Sequence, residues 1–317
     1  MEIAQNFYSK HFTIHALTDS VLAAVAKDGG WAISNAGLID LGGQIIVFDT
    51  FMTPSAAEDL RKFSVEHLGR PPTMIVNSHY HNDHIWGNQV FADEAVILSS
   101  LQTRELITTA GQEEFDYYSA NSALRLEALQ GEFQTAPEEE KKDLLLWIEY
   151  YQALVEELPH TRVHLPQITF ENRFKIHGTK YSAECFCFEG GHTGSDTVLY
   201  LAETGIVLMS DLLFVNCHPY LADGDLFKLL TTLGKLSQFD ADQFVPGHGA
   251  VGTRKELDLM IEYVEQCIEI SQSLVKSGDA DEDGIKEVRV PAQFQHWQFP
   301  RFFQINIQFL CQALKDG

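Results

Sequence analysis

Three histidines and an aspartate lie within six residues of one another at positions 79–84, directly after the short apolar run Met74-Ile75-Val76. The apolar run is typical of a buried strand. In extended backbone, His79 and His81 project to the same side, so both imidazoles can reach one metal ion. Asp83 and His84 begin a turn or short helix, and we expect this pair to serve a second ion about 3.5–4 Å from the first. These residue types at this spacing predict a metal site.

Three further candidate ligands follow later in the chain, each at the end of a run with strand character. His192 lies in the glycine-rich loop 190–194, between two such runs. Asp211 ends the apolar run 205–210, and His248 ends a short run that begins at residue 243. Each alone would more often be a structural residue. Their shared placement, together with the first cluster, favours metal binding.

This pattern resembles the metallo-β-lactamase superfamily of dinuclear hydrolases, whose His-x-His-x-Asp-His motif is followed by a histidine, an aspartate and a histidine at later strand ends. All of these positions are present, and the resemblance spans roughly residues 10–255. It implies a first metal held by His79, His81 and His192, and a second held by Asp83, His84 and His248. It also implies that Asp211 bridges the two metals.

The resemblance further implies an α/β fold, a four-layer αβ/βα sandwich, in which Asp49 plays a structural part and is a candidate to orient a metal-binding histidine. We expect residues 1–317 to form a single domain, with strands within 11–26 and 31–49 and a helix that begins at Pro54, capped by Thr53. Residues 278–317 are expected to form a C-terminal loop and helix.

Residues 100–160 have a helical pattern instead, and we interpret them as a helical insertion that consists of a pair of helices. Apolar residues recur at three- and four-residue spacing from Leu144 to Leu158, and Thr135-Ala136-Pro137-Glu138 has the form of a capping box. Packing against the core is the default role of such an insertion. A lid, a wall of a substrate pocket and a dimer contact are the alternatives.

Composition limits the classes of partner. The formal net charge is −23 with 22 lysines and arginines scattered through the chain, which disfavours a nucleic-acid substrate. No segment has the length of a membrane span, and the N-terminus has no secretory pattern. Five cysteines form an odd set without Cys-x-x-Cys, which fits a reducing cytoplasm. We therefore expect a cytoplasmic protein with a small-molecule substrate, no nucleic-acid or membrane partner, and a homodimer as a possible assembly.

The function implied by the resemblance is hydrolysis of a small ester, lactone, thioester or related bond by a hydroxide that bridges two divalent ions, with Asp83 as the catalytic residue that orients the water. Zn²⁺ is the expected metal, with Fe and Mn as alternatives. A mononuclear iron dioxygenase of the persulfide dioxygenase type is the alternative function. A phosphodiesterase and a non-catalytic binding protein are less favoured.

The substrate is harder to predict, because many chemistries share this fold. Features typical of hydroxyacyl-glutathione hydrolases, quorum-quenching lactonases and exported β-lactamases are weak or absent. The segment 211–225 leaves the metal site and enters a helix predicted at 224–236. Its His218 and Tyr220 are the candidate substrate-binding residues, although His218 could equally pack within the loop.

Overall fold

Two β-sheets form the centre of the molecule in a computed structural model that describes residues 7–316. The first sheet has seven strands in sequence order, and it is antiparallel from β1 to β4 and parallel from β4 to β7. Its strands are β1 (Phe12–Ala16), β2 (Val21–Ala26), β3 (Ala36–Asp40), β4 (Ile45–Phe48), β5 (Met74–Val76), β6 (Val96–Ser100) and β7 (Ile168–Phe170). The predicted strand regions 11–26 and 31–49 thus each fold into a hairpin.

The second sheet has five strands in the order β12-β11-β10-β9-β8. Its strands are β8 (Arg173–His177), β9 (Ser182–Phe188), β10 (Asp196–Leu201), β11 (Ile206–Phe214) and β12 (Gln243–His248). Neighbours are antiparallel from β8 to β11, whereas β11 and β12 are parallel. Parallel pairing requires a crossover between these two strands, and a helix provides it.

The helices cover the outer faces of the sheets and part of one end. In chain order they are α1 (Pro54–Leu68), α2 (Asn82–Ile85), α3 (Asn88–Phe91), α4 (Leu101–Thr108), α5 (Ala110–Thr135), α6 (Glu138–Glu157), α7 (Leu226–Leu236), α8 (Arg254–Ser277), α9 (Glu282–Glu287) and α10 (Arg301–Asp316). Short 3-10 turns occupy Leu158–His160 and Ala292–Phe294. Among the described helices, none combines the length and the apolarity that a membrane span requires.

The hydrophobic core has three main layers of contact. The facing surfaces of the two sheets bury one set of side chains, including Ile39 and Leu208. The outer face of the first sheet packs against α1 through residues such as Phe63. The outer face of the second sheet packs against α7, α8 and α10 through residues such as Leu229 and Phe303. This order of helix, sheet, sheet and helix confirms the predicted four-layer αβ/βα sandwich.

The two sheets approach one another closely at Gly37 in β3. A Cβ added there would lie 1.9 Å from Cδ2 of Leu208 in β11, so a side chain at this position would separate the sheets. Glycine is therefore required for packing at this point rather than for a turn.

The helical region between β6 and β7 contains three helices, one more than the predicted pair. The long helices α5 and α6 pack together through Leu129, Leu144 and Ile148, in agreement with the predicted apolar stripe. The predicted capping box is wrong, because Thr135 is the last residue of α5 and α6 begins after Pro137 without a side-chain cap. That residues 100–160 are an insertion into a single domain stays a prediction.

Candidate metal centre

The segment 77–85 follows β5 and leaves the first sheet at the edge where its parallel strands end. It contains four of the candidate ligands. After β5 the chain bends at His79 and Tyr80, and His81 is the N-terminal boundary residue of α2, with an extended φ of −61° and ψ of 148°. Helix α2 then turns Asp83 and His84 away from the first two imidazoles. The predicted short helix at Asp83 and His84 is confirmed, whereas the backbone at His79 and Tyr80 is bent and not extended as predicted.

The other three candidate ligands come from the second sheet. His192 lies in the loop between β9 and β10, and His248 is the last residue of β12. Asp211 does not end its strand as expected, because β11 continues to Phe214. The pairing of β11 with β12 shifts register on both sides of Ser210, whose φ is 47°. This irregularity brings Asp211 to the centre of the site although the strand runs on past it.

The first group of donors consists of His79, His81, His192 and Asp211, whose donor atoms all lie within 4.8 Å of one another. Nδ1 of His81 lies 3.1 Å from Nε2 of His79 and 3.0 Å from Nε2 of His192. Oδ2 of Asp211 lies 3.2 Å from Nε2 of His192 and 3.9 Å from Nε2 of His79. Donors at about 2.0–2.1 Å from a tetrahedral zinc are roughly 3.3 Å apart, so these spacings fit one divalent ion.

The second group consists of Asp83, His84 and His248, and its donor atoms also lie within 4.8 Å of one another. Oδ2 of Asp83 lies 3.3 Å from Nε2 of His248 and 3.6 Å from Nε2 of His84. Asp211 contacts this group too, because its Oδ1 lies 3.1 Å from Nε2 of His84 and its Oδ2 lies 3.4 Å from Nε2 of His248. Asp211 is thus the one predicted ligand within reach of both groups.

Three buried atoms of the donor residues have no hydrogen-bond partner, namely Nε2 of His84, Nδ1 of His192 and Oδ1 of Asp211. Of these, Nε2 of His84 and Oδ1 of Asp211 face each other at 3.1 Å without hydrogen-bond geometry. An unpaired buried polar atom costs about 1–3 kcal/mol, and a cation between donors of this kind removes that cost. Gly247 keeps the space open, since a Cβ there would lie 1.8 Å from Oδ1 of Asp211. The donor set therefore fits divalent metal ions.

The pKa shifts of three donors, His79, His192 and Asp211, favour the protonation states that bind metal. Burial lowers the pKa of His192 to about 3, and burial together with the charge of His84 holds the pKa of His79 well below its usual value. Burial alone would raise the pKa of Asp211, but the surrounding histidines, His84 foremost, hold it well below the usual range. Neutral imidazoles and an ionised carboxylate are the forms that ligate metals.

A hydrogen-bonded network behind the donors fixes two of the imidazoles. Oδ2 of Asp49 lies 2.9 Å from Nδ1 of His84 and accepts from the hydroxyls of Ser78 and Ser210, each at 2.8 Å. Oγ of Ser78 lies 2.8 Å from Nδ1 of His79. Asp49 adopts a left-handed φ of 62°, which is uncommon for a non-glycine residue and clusters at functional sites. The structure thus confirms Asp49 as an orienting residue and shows that its histidine is His84.

Asp223 is a contact that the sequence did not indicate. Its Oδ2 lies 3.0 Å from Nε2 of His81, the ring nitrogen that faces away from the donor group. Burial opposes protonation of His81, yet this hydrogen bond and the charge of Glu114 raise its pKa. Asp223 lies within the predicted substrate segment 211–225, but nothing in the sequence pairs it with a histidine 142 residues earlier.

A cavity of about 470 Å³ opens beside the donors and includes Asp83, His192 and Asp211 in its wall. The helices α5 and α6 contribute Glu114, Tyr118, Trp147 and Tyr150 to it, among other residues. Residues 100–160 therefore form part of a pocket wall, and their default interpretation as packing alone is incomplete.

His218 and Tyr220 both line this cavity, as the substrate segment was expected to do. His218 is buried, and its Nδ1 lies 3.2 Å from the hydroxyl of Tyr263 in α8. The ring of Tyr220 packs 5.5 Å from that of Phe302. Contact of either side chain with a substrate stays a prediction.

Comparison with known proteins gives a family for part of the chain and a fold for most of it. Residues 29–171 match the family model described as the metallo-beta-lactamase superfamily, a span that contains His79 to His84. No curated protein matches the chain.

Among the solved structures that share the fold are two metallo-beta-lactamases. One is a metallo-beta-lactamase from Pontibacter korlensis, with 17% sequence identity, a TM-score of 0.59, and coverage of 80% of this chain and 99% of that one. The other is the metallo-beta-lactamase FIM-1 from Pseudomonas aeruginosa in its mono-zinc form, with 18% identity, a TM-score of 0.56, and coverage of 81% and 96%. The family match over residues 29–171, the shared fold and the cluster of histidines and aspartates make the chain similar to the metallo-β-lactamase superfamily.

Proposed function

We propose that this protein is a metal-dependent hydrolase that cleaves an ester, lactone, thioester or related bond in a small molecule. The observation that carries the proposal is the position of Asp211, whose carboxylate lies within 3.1–3.4 Å of donors in both groups. Such an arrangement suits two divalent ions at neighbouring positions, with Zn²⁺ as the expected metal. Divalent ions bound in this way lower the pKa of water and polarise a carbonyl oxygen.

The chain's own residues supply binding and orientation. Asp83 lies at the boundary between the donors and the cavity, with 13% of its side chain exposed. We propose that it accepts a hydrogen bond from the attacking water and fixes the direction of attack. The aromatic side chains of the cavity wall would hold the body of the substrate and exclude bulk water from the reacting bond.

The second group of donors separates this proposal from the dioxygenase alternative. A mononuclear iron site needs one group of ligands, whereas Asp83, His84 and His248 form a further set beside the first. We also propose a cytoplasmic location, which the five free cysteines support.

The test is metal analysis combined with a substrate panel. We would quantify Zn, Fe and Mn in the purified full-length protein, and then assay esters, lactones, thioesters and phosphodiesters. Expected results are about two divalent ions per chain and hydrolysis that a chelator removes and Zn²⁺ restores. A protein with two bound ions and no hydrolysis of any class would contradict the proposal. One iron per chain with oxygen consumption on persulfides would establish the alternative.

A further inference from the structure

The cavity beside the metal centre is rich in carboxylates that the proposed metals do not use. Apart from Asp83 and Asp211, its wall contains four acidic side chains: Asp28, Glu114, Glu149 and Asp223. Three of these have polar partners, because Asp28 accepts a hydrogen bond from Gln298, Asp223 bonds with His81, and Glu114 accepts from the backbone N–H of Asn82. Neither Glu114 nor Glu149 forms an ion pair with a lysine or arginine within residues 7–316.

Basic groups do not balance this charge. Lys27 is the one lysine or arginine among the described residues of the cavity wall. Its ammonium donates to the carbonyl oxygen of Ser9 at 2.5 Å and lies 5.0 Å from the centre of the Tyr8 ring. The Lys27 ammonium therefore already interacts with the Ser9 carbonyl and the Tyr8 ring. Apart from the proposed metal ions, a substrate with a carboxylate or phosphate tail would find no free lysine or arginine among the described residues of this wall.

Aromatic rings form a continuous surface in the same cavity. We call this surface the aromatic wall, and its members are Tyr118, Trp147, Tyr150, Tyr220, Phe299 and Phe302. Ring centres of neighbours are 5.5–5.9 Å apart along the series from Tyr118 through Tyr150, Trp147 and Phe302 to Tyr220. Faces of such rings attract cations that lie within about 6 Å, and Trp attracts them most strongly.

Glu114 connects the aromatic wall to the metal centre. It lies in α5 one turn before Tyr118, and its Oε2 accepts a hydrogen bond from the backbone N–H of Asn82 at 3.2 Å. Asn82 stands between the proposed ligands His81 and Asp83. Oε1 of Glu114 has no partner among the described residues. It therefore offers a carboxylate oxygen to a group bound in the cavity, next to the place where a bond would be cleaved.

We propose that the cavity binds a substrate with a positively charged nitrogen, an amine or a quaternary ammonium, held between Glu114 and the aromatic wall. This inference rests on the proposed function and narrows its substrates to cationic esters, lactones or thioesters. Unpaired carboxylates are costly to hold in a partly buried wall, and a bound cation offsets that cost. A volume of about 470 Å³ suits a small molecule of this kind. The net charge of −23 also attracts cations to the protein.

The first test measures binding and does not depend on hydrolysis. Choline and 3,3-dimethylbutan-1-ol have the same shape and differ by one positive charge, because carbon replaces nitrogen in the alcohol. We expect isothermal titration of the metal-loaded full chain to show choline binding about tenfold more tightly than the neutral alcohol. Equal binding, or tighter binding of the neutral alcohol, would overturn the proposal.

Two variants locate the effect. Glu114→Gln keeps an acceptor for the N–H of Asn82 but removes the charge, and it should reduce the advantage of choline several-fold. Glu113→Gln makes the same change of net charge at an exposed neighbour on α5 that does not line the cavity. It should leave the ratio of the two affinities at the wild-type value. Equal losses in both variants would assign the preference to overall charge and contradict a site at Glu114.

A second measurement separates this inference from the proposed hydrolysis. The specificity constants kcat/KM for acetylthiocholine and for its uncharged 3,3-dimethylbutyl analogue should differ about tenfold in favour of the cation. Equal hydrolysis of both would support the hydrolase and remove the cation site. Selective binding of choline without hydrolysis of any ester would support the cation site and contradict the proposed function.

Discussion

Asp83 is proposed both to bind metal and to orient the attacking water. Its carboxylate lies 3.3 Å from Nε2 of His248 and also borders the cavity. We predict that Asp83→Ala reduces turnover at least a hundredfold, because the variant loses both a ligand and the group that orients water. It should also lose about one metal ion per chain. Metal analysis and kcat on the same preparation check this.

Asp93→Ala is the matched control for that change, because Asp93 is an exposed aspartate outside the donor groups. It should keep both metal content and turnover. Full activity with two bound metals in Asp83→Ala would refute the assigned role of Asp83.

His11 provides a residue-level test of pH dependence away from the metal centre. Burial, followed by the charge of Lys10, lowers its pKa from 6.5 to about 4. As the pH falls below 6.5, the unfolded chain binds a proton at His11 while the folded chain does not. The free energy of unfolding therefore decreases between pH 6.5 and pH 4.

The corresponding experiment compares the wild type with His11→Asn by urea denaturation at pH 7 and pH 5. We predict that the stability of the wild type relative to the variant falls by about 1 kcal/mol over this interval, after allowance for partial screening by solvent. A difference that stays constant between the two pH values would contradict a neutral buried His11.

At the same scale, the sequence predicted the donors but not their surroundings. The residues 79–84 are local, and their periodicity shows which side chains point together. Glu114 and Asp223 contact the site only because the fold brings distant segments together. Asp223, for example, is 142 residues from His81 in sequence. A pairing of this kind leaves no local pattern in a single sequence.

At the scale of elements, helix α8 begins with a complete capping box. The side chain of Thr253 accepts from the backbone at the first turn, and the side chain of Glu256 accepts from the backbone N–H of Thr253 at 2.8 Å. Helix α8 packs against α7 and α10 in the largest part of the core. We predict that Thr253→Ala lowers the free energy of unfolding by about 1 kcal/mol in urea denaturation.

Thr135→Ala is the control for this cap. The hydroxyl of Thr135 bonds only weakly to the carbonyl of Glu132 at 3.3 Å, within the helix that ends there. Its removal should change stability by less than about 0.5 kcal/mol. Equal effects of the two substitutions would contradict a special role for the capping box.

The two threonines also show why a capping-box pattern alone does not set a helix boundary. Thr253 and Thr135 are each followed three residues later by glutamate, and the second position was mistaken for a helix start. Helix α5 instead continues to Thr135, and Pro137 sets the start of the next helix. Sequence spacing alone therefore does not identify a helix cap. Whether a threonine caps a helix also depends on whether the chain before it is already helical. Tertiary structure also decides where β11 ends. The strand extends past Asp211 to Phe214 because it pairs with β12.

At the scale of the whole molecule, the proposed metals connect the two sheets. His79, His81, Asp83 and His84 belong to the first sheet's loop, whereas His192, Asp211 and His248 belong to the second sheet. We predict that removal of metal lowers the melting temperature Tm by about 5 °C or more, because an ion at a hundred times its Kd stabilises the folded state by about 2.7 kcal/mol. Calorimetry with EDTA and with added Zn²⁺ measures this.

His79→Ala supplies the comparison for the chelation experiment. Because this variant lacks a donor of the first group, EDTA should lower its Tm by less than it lowers that of the wild type. An unchanged wild-type Tm after verified removal of metal would contradict a site that stabilises the contact between sheets.

The hydrogen bond from Gln298 to Asp28 joins residues 270 positions apart in the wall of the cavity. A ribosome releases the N-terminal part of a chain first, and domains fold as their segments become available. Asp28 and all of the metal donors through His248 are therefore synthesised before Gln298, Phe299 and Phe302 exist. A nascent chain can gather its metal-binding side chains while its substrate cavity is still open on one side. The cavity wall that we propose to select the substrate is therefore completed only after every proposed metal ligand has been synthesised.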